Sequence, residues 1–124
     1  MKITLSIIIV SIFLISNVHA QPVTYQCDYP SWSDEEGNHN EKNNFSITFL
    51  VDEAANKAYM VGILGASEVF MQAAEGQISF IETTISGNLM TTTIAQDNTT
   101  VHSRNSVVLG ELVPSQYYGK CVIR

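Results

Sequence analysis

The sequence predicts an all-β domain, a small antiparallel meander of about eight short strands that close or nearly close into a β-barrel. Apolar and polar residues alternate in short runs, and clusters of turn-forming residues separate these runs at even spacing. Only two cysteines occur, Cys27 and Cys121, and they stand near the two ends of residues 21–124. A two-sheet β-sandwich would also bring those ends together, and it is the alternative.

The first part of the chain predicts two strands joined by a long loop. Residues 23–28 form the first strand, which places Tyr25 and Cys27 on one face. Residues 29–44 are polar and acidic, and we expect them to form an exposed loop. The second strand, residues 45–51, alternates almost without fault and directs one set of apolar side chains to a single face: Phe45, Ile47, Phe49 and Val51.

Turn chemistry then recurs along the chain, at residues 52–57, 65–67, 73–76 and 86–88. These turns delimit four further strands, at residues 58–64, 68–72, 77–85 and 89–94. After a turn at residues 97–98 the chain is extended over residues 100–109 and is interrupted by Pro114 and Ser115. A closing strand follows at residues 116–123, which brings the number of predicted strands to about eight.

Residues 1–20 have the pattern of a signal peptide. Lys2 precedes an apolar run over residues 3–15, and Val18-x-Ala20 supplies small residues for a signal peptidase. The run is shorter than the roughly 20 apolar residues that span a bilayer, so no stable membrane anchor is expected. Cleavage near Ala20 would release a single domain, residues 21–124, into the periplasm or the medium.

Export makes a disulfide between Cys27 and Cys121 the expected state of the two thiols. If Cys27 lies in the first strand and Cys121 in the last, the bond requires Cα atoms within about 6 Å of each other. Closure of a barrel would provide that geometry. No C-x-x-C pair is present, so redox catalysis is not predicted.

The charge of the mature chain is strongly negative. Six basic and twelve acidic residues are present, and removing Lys2 with the leader leaves five minus twelve, or −7. The few basic residues are scattered, which excludes a nucleic-acid partner. The same charge would steer a basic protein partner toward the domain.

Catalytic and metal-binding chemistry have few candidates. His102 and Arg104 share one face of a predicted strand and Ser103 points to the other, which argues against a Ser–His pair. We expect His102 and Arg104 to lie on a solvated face, paired with Glu82 or Glu111. The acidic residues and His39 of the 29–44 segment do not match the calcium-loop spacing and are interpreted as a solvated loop, so neither a metal nor a cofactor is predicted.

Aromatic residues suggest a contact surface. Tyr117 and Tyr118 are neighbours on the closing strand, so one ring points inward and the other outward. The outward ring, together with Tyr29 and Trp32 of the expected loop, is a candidate binding surface. Packing of these rings over the mouth of the barrel is the simpler interpretation.

Two resemblances follow from short motifs. Segments that include Ser86-Gly87-Asn88, Val101-His102-Ser103-Arg104 and Gln116-Tyr117-Tyr118-Gly119 resemble a pattern found in small exported bacterial proteins of unassigned function. Tyr25-x-Cys27 and Tyr118-x-x-Cys121 resemble the periplasmic inhibitors of c-type lysozyme. That second resemblance implies a small disulfide-bridged β-barrel and a Ser-Gly loop, here Ser86-Gly87, that enters the lysozyme cleft.

These observations favour a non-catalytic, exported binding or envelope-associated module. One form of this hypothesis is an inhibitor of a basic lysozyme-like enzyme. The candidate binding residues are Ser86, Gly87, His102, Arg104, Tyr117, Tyr118 and Trp32. The alternative is a small-ligand carrier, because an eight-stranded barrel can hold one small ligand. A hydrolase that uses His102 is a weaker alternative.

Overall fold

The computed structural model describes residues 21–124, which form a closed antiparallel barrel of eight strands in sequence order. The all-β meander is therefore confirmed, and the predicted signal peptide lies outside the described residues. The strands are β1 Val23–Asp34, β2 Gly37–Asp52, β3 Lys57–Gly62, β4 Gly65–Ala74, β5 Gln77–Thr83, β6 Leu89–Ala95, β7 Thr99–Val108 and β8 Glu111–Ile123. The described part of the chain contains no helix that is long and apolar enough to cross a membrane.

Alternating side chains fill the barrel. On β2, Ile47, Phe49 and Val51 are buried and Phe45 packs against them, as their spacing predicts. Phe49 stacks on Phe80 of β5 with ring centroids 4.2 Å apart. Such large rings occupy the space between facing strands and fill the interior of the barrel there.

Strands β1 and β8 close the barrel, and the disulfide lies at this seam. Cys27 and Cys121 are directly opposite in the register, and their Cα atoms are 3.9 Å apart. Gly119 lies two residues before Cys121, where the backbone of β1 approaches β8 very closely. The predicted pairing of the two cysteines across the closing strands is confirmed.

The prediction of an exposed loop at residues 29–44 is wrong. β1 continues to Asp34 and β2 begins at Gly37, so only a tight turn separates the two strands. The register shifts after Tyr29, where Glu41–Asn44 of β2 form a bulge opposite a single residue of β1, Pro30. Residues 37–44 form a strand although they are polar. Most of their side chains are exposed to solvent, so the strand needs no alternation of apolar and polar residues.

Two predicted breaks are also wrong. The turn expected at residues 65–67 lies instead at Ile63 and Leu64, and β4 begins at Gly65. β8 runs through Pro114 and Ser115, with Pro114 opposite Asn105 of β7. Pairing between β8 and β1 ends at Gln116, so the missing N–H of Pro114 faces an edge without a neighbour and costs no ladder hydrogen bond.

The meander gives the barrel two different ends. The turns β1–β2, β3–β4, β5–β6 and β7–β8 lie at one end, which we call the tip end. The remaining three turns and both ends of the described chain lie at the opposite end, which we call the terminus end.

Candidate binding surface at the tip end of the barrel

His102 is buried inside the barrel, so the prediction that it lies on a solvated face is wrong. Its side chain is 1 % exposed. Arg104 Nε donates a hydrogen bond to His102 Nε2 over 3.2 Å, which leaves Nδ1 as the protonated nitrogen that donates to Thr92 Oγ1 over 2.8 Å. Burial, and secondly the charge of Arg104, lower the pKa of His102 to about 4. The imidazole is therefore neutral, and both of its nitrogens are occupied.

Arg104 also points into the barrel, where its guanidinium contacts two neighbouring aromatic rings. Its Cζ lies 4.7 Å from the ring centroid of Phe45 and 4.7 Å from that of Tyr117. The two ring centroids are themselves 4.7 Å apart, so both rings lie on the same side of the guanidinium, and each contributes cation–π attraction. The expected ion pairs with Glu82 and Glu111 do not form among residues 21–124. Arg104 instead anchors an aromatic cluster at the tip end, made of Tyr29, Trp32, Phe45 and Tyr117.

Tyr117 and Tyr118 point to opposite sides of β8, as predicted. Tyr117 packs in the aromatic cluster, whereas Tyr118 is exposed and its hydroxyl lies 2.9 Å from Ser33 Oγ. Trp32 stacks on the inward ring, Tyr117, at 5.9 Å and on His39 at 4.2 Å. A single surface built from Trp32, Tyr29 and the outward Tyr118 is therefore not formed.

Tyr29 is one of the most buried side chains, which corrects its expected place in an exposed loop. Its hydroxyl lies 3.1 Å from Thr100 Oγ1. Burial raises the pKa of Tyr29 to about 12, although the hydrogen bond to Thr100 opposes the shift. Tyr29 thus belongs to the interior of the aromatic cluster and not to its outer surface.

Ser86 and Gly87 lie at the exposed turn between β5 and β6, in a loop with internal order. Gly87 has a positive φ of 87°, and its N–H donates to the carbonyl of Thr84 over 2.9 Å. Asn88 Oδ1 accepts a hydrogen bond of 2.9 Å from the backbone N–H of Val107. This contact joins the loop to the neighbouring β7–β8 hairpin, so the two tips form one connected surface.

Fully exposed aliphatic side chains occupy three of the four tips. Ile85 lies in the β5–β6 loop, and Leu109 lies at the turn of β7–β8 beside the exposed Val107, Val108 and Leu112. Ile63 and Leu64 form the turn of β3–β4, and both are as exposed as in an extended chain. We call Ile63, Leu64, Ile85 and Leu109 the apolar tips. The sequence patterns do not predict these exposed residues, and their one visible signal is the pair of aliphatic residues between Gly62 and Gly65.

The fourth tip, at β1–β2, is acidic. Asp34 Oδ1 accepts hydrogen bonds from His39 Nε2 at 2.8 Å and from the backbone N–H of Glu36 at 2.9 Å. The hydrogen bond from His39 is the main cause that lowers the pKa of Asp34. Oxygen and nitrogen atoms of Asp34, Glu36 and His39 lie within 4.8 Å of one another on the surface. The structure thus brings together three of the polar residues interpreted above as a solvated loop.

A cleft opens in the barrel wall between β4 and β5 at the tip end. Its volume is about 870 Å³, and its lining is mainly apolar, with the carboxylates of Glu68 and Glu82. Glu82 is half-buried, and burial raises its pKa against the opposing attraction of Arg104. The predicted fifth strand carries Glu82 on the same face as the buried Phe80, which explains why the carboxylate faces inward.

Comparisons of the chain with models of protein families, with curated proteins and with solved structures gave no significant match.

Proposed function

We propose that this protein is a non-catalytic, exported binding module whose tip end binds a basic partner protein. The observation that carries this proposal is the group of fully exposed apolar tips beside the acidic β1–β2 turn. A small disulfide-bonded barrel is a common scaffold outside the cytoplasm, where thiols are oxidised. The barrel supplies rigidity, and the turns supply the contact residues.

The apolar tips are unfavourable for the isolated domain. Each large aliphatic side chain forgoes roughly 1.5–3 kcal/mol by remaining in water instead of in an apolar environment. Leu109 adds backbone strain, because it has a positive φ of 51° that favours Gly or Asn over leucine. The backbone conformation of this turn therefore gives no reason for a leucine at position 109, whereas contact of its side chain with a partner does.

Charge selects the kind of partner. Lys57, Lys120 and Arg124 lie toward the terminus end, at the start of β3 and near the end of β8, among the acidic residues of that end. The tip end carries the acidic turn of Asp34, Glu35 and Glu36, and its basic residues are Lys42 and the inward-pointing Arg104. An anionic membrane surface would repel this end, whereas a basic protein with an apolar cleft matches both its charge and its exposed side chains.

The geometry of His102 supports a non-catalytic role. A general base needs an accessible nitrogen within reach of a substrate proton, and both nitrogens of His102 already bond to Thr92 and Arg104. The hydrolase alternative is therefore not the function that this site favours.

Inhibition of a basic lysozyme-like enzyme is the most specific version of the proposal. Ser86-Gly87, which resembles the inhibitory loop, projects at the tip end next to Ile85. We expect the purified domain to inhibit a c-type lysozyme at micromolar concentration. A double variant, Ile63→Asn with Leu109→Asn, should weaken inhibition at least tenfold, about 1.4 kcal/mol. The matched control is Val122→Thr, an exposed apolar residue at the terminus end.

Chemical cross-linking in an envelope extract tests the broader proposal. Cross-linked species that disappear in the Ile63→Asn, Leu109→Asn variant and persist in Val122→Thr would support a partner at the tip end. Lack of lysozyme inhibition would eliminate only the inhibitor version. Identical cross-linking in all three proteins would contradict binding through the tips.

A carrier function is the second candidate, and the cleft between β4 and β5 favours it. Its volume of about 870 Å³ is within the range of small-molecule sites, and its lining is mainly apolar. Native mass spectrometry of protein extracted gently from its source tests this role. A bound small molecule would support a carrier, and the mass of the bare chain would count against it.

A further inference from the structure

The cleft is a local separation of two neighbouring strands. Pairing of β4 with β5 runs from Ala74 opposite Gln77 to Phe70 opposite Ile81. The same register would next place Val69 opposite Glu82 and Glu68 opposite Thr83, yet the structure of residues 21–124 contains neither pair. The two strands therefore diverge toward the tip end while each remains part of the barrel.

One edge of β4 consequently faces the cleft without a strand partner. Gly65 to Val69 pair with β3 on the other side, from Ala58 opposite Val69 to Gly62 opposite Gly65. In an antiparallel sheet, alternate residues direct both N–H and C=O to the same neighbour. Some of these groups between Gly65 and Val69 thus point into the cleft, and such an edge is a template for an added strand.

The side chains around the cleft define what would fit there. Phe70 and Ile85 are exposed at its rim, and Met60 and Val69 line it from inside. Its two charged lining residues are both acidic, Glu68 on β4 and Glu82 on β5. Because Val69 and Phe80 are buried, Glu68 faces outward and Glu82 faces the interior.

We propose that the cleft between β4 and β5 binds an extended segment of the partner protein, which pairs with β4 as an additional strand and directs a lysine or arginine toward Glu68 or Glu82. Successive residues of such a segment point to opposite faces, so a basic side chain can reach either carboxylate while apolar neighbours contact Phe70 or Met60. This inference rests on the proposed function, and it specifies the chemistry and the mode of binding of the partner.

A synthetic peptide of alternating lysine and valine is the probe. We expect fluorescence anisotropy to show binding, and amide hydrogen exchange to slow at residues 65–69 when the peptide is present. N-methylation of alternate peptide nitrogens removes the strand hydrogen bonds but keeps the side chains, and it should weaken binding at least tenfold. A peptide with glutamate in place of lysine should bind at least tenfold more weakly as well.

Variants of the domain provide the matched comparison. Glu82→Gln and Glu68→Gln should each weaken binding of the lysine peptide severalfold, whereas Glu53→Gln in the β2–β3 turn should not. Equal affinity for the N-methylated peptide, no binding of the unmodified peptide, or protection that excludes residues 65–69 would overturn strand addition. Self-association through the same edge would also overturn it, and sedimentation would reveal this as a concentration-dependent dimer.

The result is separable from the test of the proposed function. If cross-linking depends on the apolar tips but the peptide shows no strand pairing, the inference fails and the binding module remains. If neither the tips nor the cleft affects cross-linking, the proposed function fails as well.

Discussion

His102 is a buried polar side chain whose burial should make the stability of the fold depend on pH. The folded protein holds its pKa at about 4, whereas the unfolded chain protonates it near 6.5. Between these values the unfolded state binds more protons, so the free energy of unfolding falls as the pH drops. From pH 7 to pH 5 this contribution amounts to roughly 2 kcal/mol. Urea unfolding of wild type and of His102→Gln at both pH values measures this contribution. The variant should lose less stability than wild type between pH 7 and pH 5.

Val122→Thr is the control, since it changes an exposed side chain at the terminus end and removes no titratable group. We expect this variant to keep the pH dependence of the wild type between pH 7 and pH 5. If His102→Gln and wild type lost the same stability over that interval, His102 would not be held neutral by burial.

The residues that the sequence placed correctly are those whose polarity agrees with their environment. Ile47, Phe49 and Val51 alternate with polar neighbours, and the period of two identifies their buried face. His102 and Thr100 are polar on an equally buried face, so alternation alone gives no sign of which side of β7 is inward. Their burial depends on partners from distant segments, Thr92 and Tyr29, which short-range patterns do not show.

At the scale of whole strands, the sequence predicted the existence of elements better than their ends. The β5–β6 turn was predicted because Gly87 supplies a positive φ at a Ser-Gly-Asn turn. The β7–β8 turn carries Leu109 at a position that usually selects Gly or Asn, and Pro114 suggested a break where β8 continues. The divergence of β4 from β5 left no recognisable pattern, because both strands keep strand-like sequences on either side of it.

The close approach of β8 to β1 depends on one glycine. A Cβ atom at position 119 would overlap the carbonyl oxygen of Asp28, and the obstructing atom belongs to the backbone and cannot rotate away. Gly119→Ala should therefore lower the free energy of unfolding by about 3 kcal/mol, because the seam must separate to accept the methyl group. Thermal or urea unfolding with the disulfide intact measures the loss.

Gly62→Ala is the matched comparison at the end of β3. There the nearest atom to an added Cβ is the carbonyl oxygen of Gly65 at 3.8 Å, an ordinary contact. We expect a change within about 0.5 kcal/mol of wild type. Equal stability of Gly119→Ala and Gly62→Ala would contradict the close approach of the two closing strands.

At the scale of the molecule, topology was predictable because two independent signals agreed. Short strands joined by tight turns favour a meander, and a disulfide between cysteines near both ends of residues 21–124 requires the first and last strands to meet. The asymmetry between the two ends was not predictable. It arises because fully exposed aliphatic residues stand in three of the four turns at the tip end, which sequence patterns treat as ordinary turns.

The disulfide joins residues 94 positions apart, so its removal should destabilise the whole barrel and not just one hairpin. In the loop-entropy treatment, opening a loop of this size costs about 4.5 kcal/mol through the greater freedom of the unfolded chain. The Cys27→Ala, Cys121→Ala double variant should show this loss in urea unfolding, with the change shared by tryptophan fluorescence and far-UV circular dichroism. Reductant should destabilise the wild type and leave the double variant unchanged. If the variant instead unfolded in two steps, one half of the barrel would unfold before the other. The disulfide would then stabilise only the seam between β1 and β8, and barrel closure would not be the reason that the eight strands unfold together.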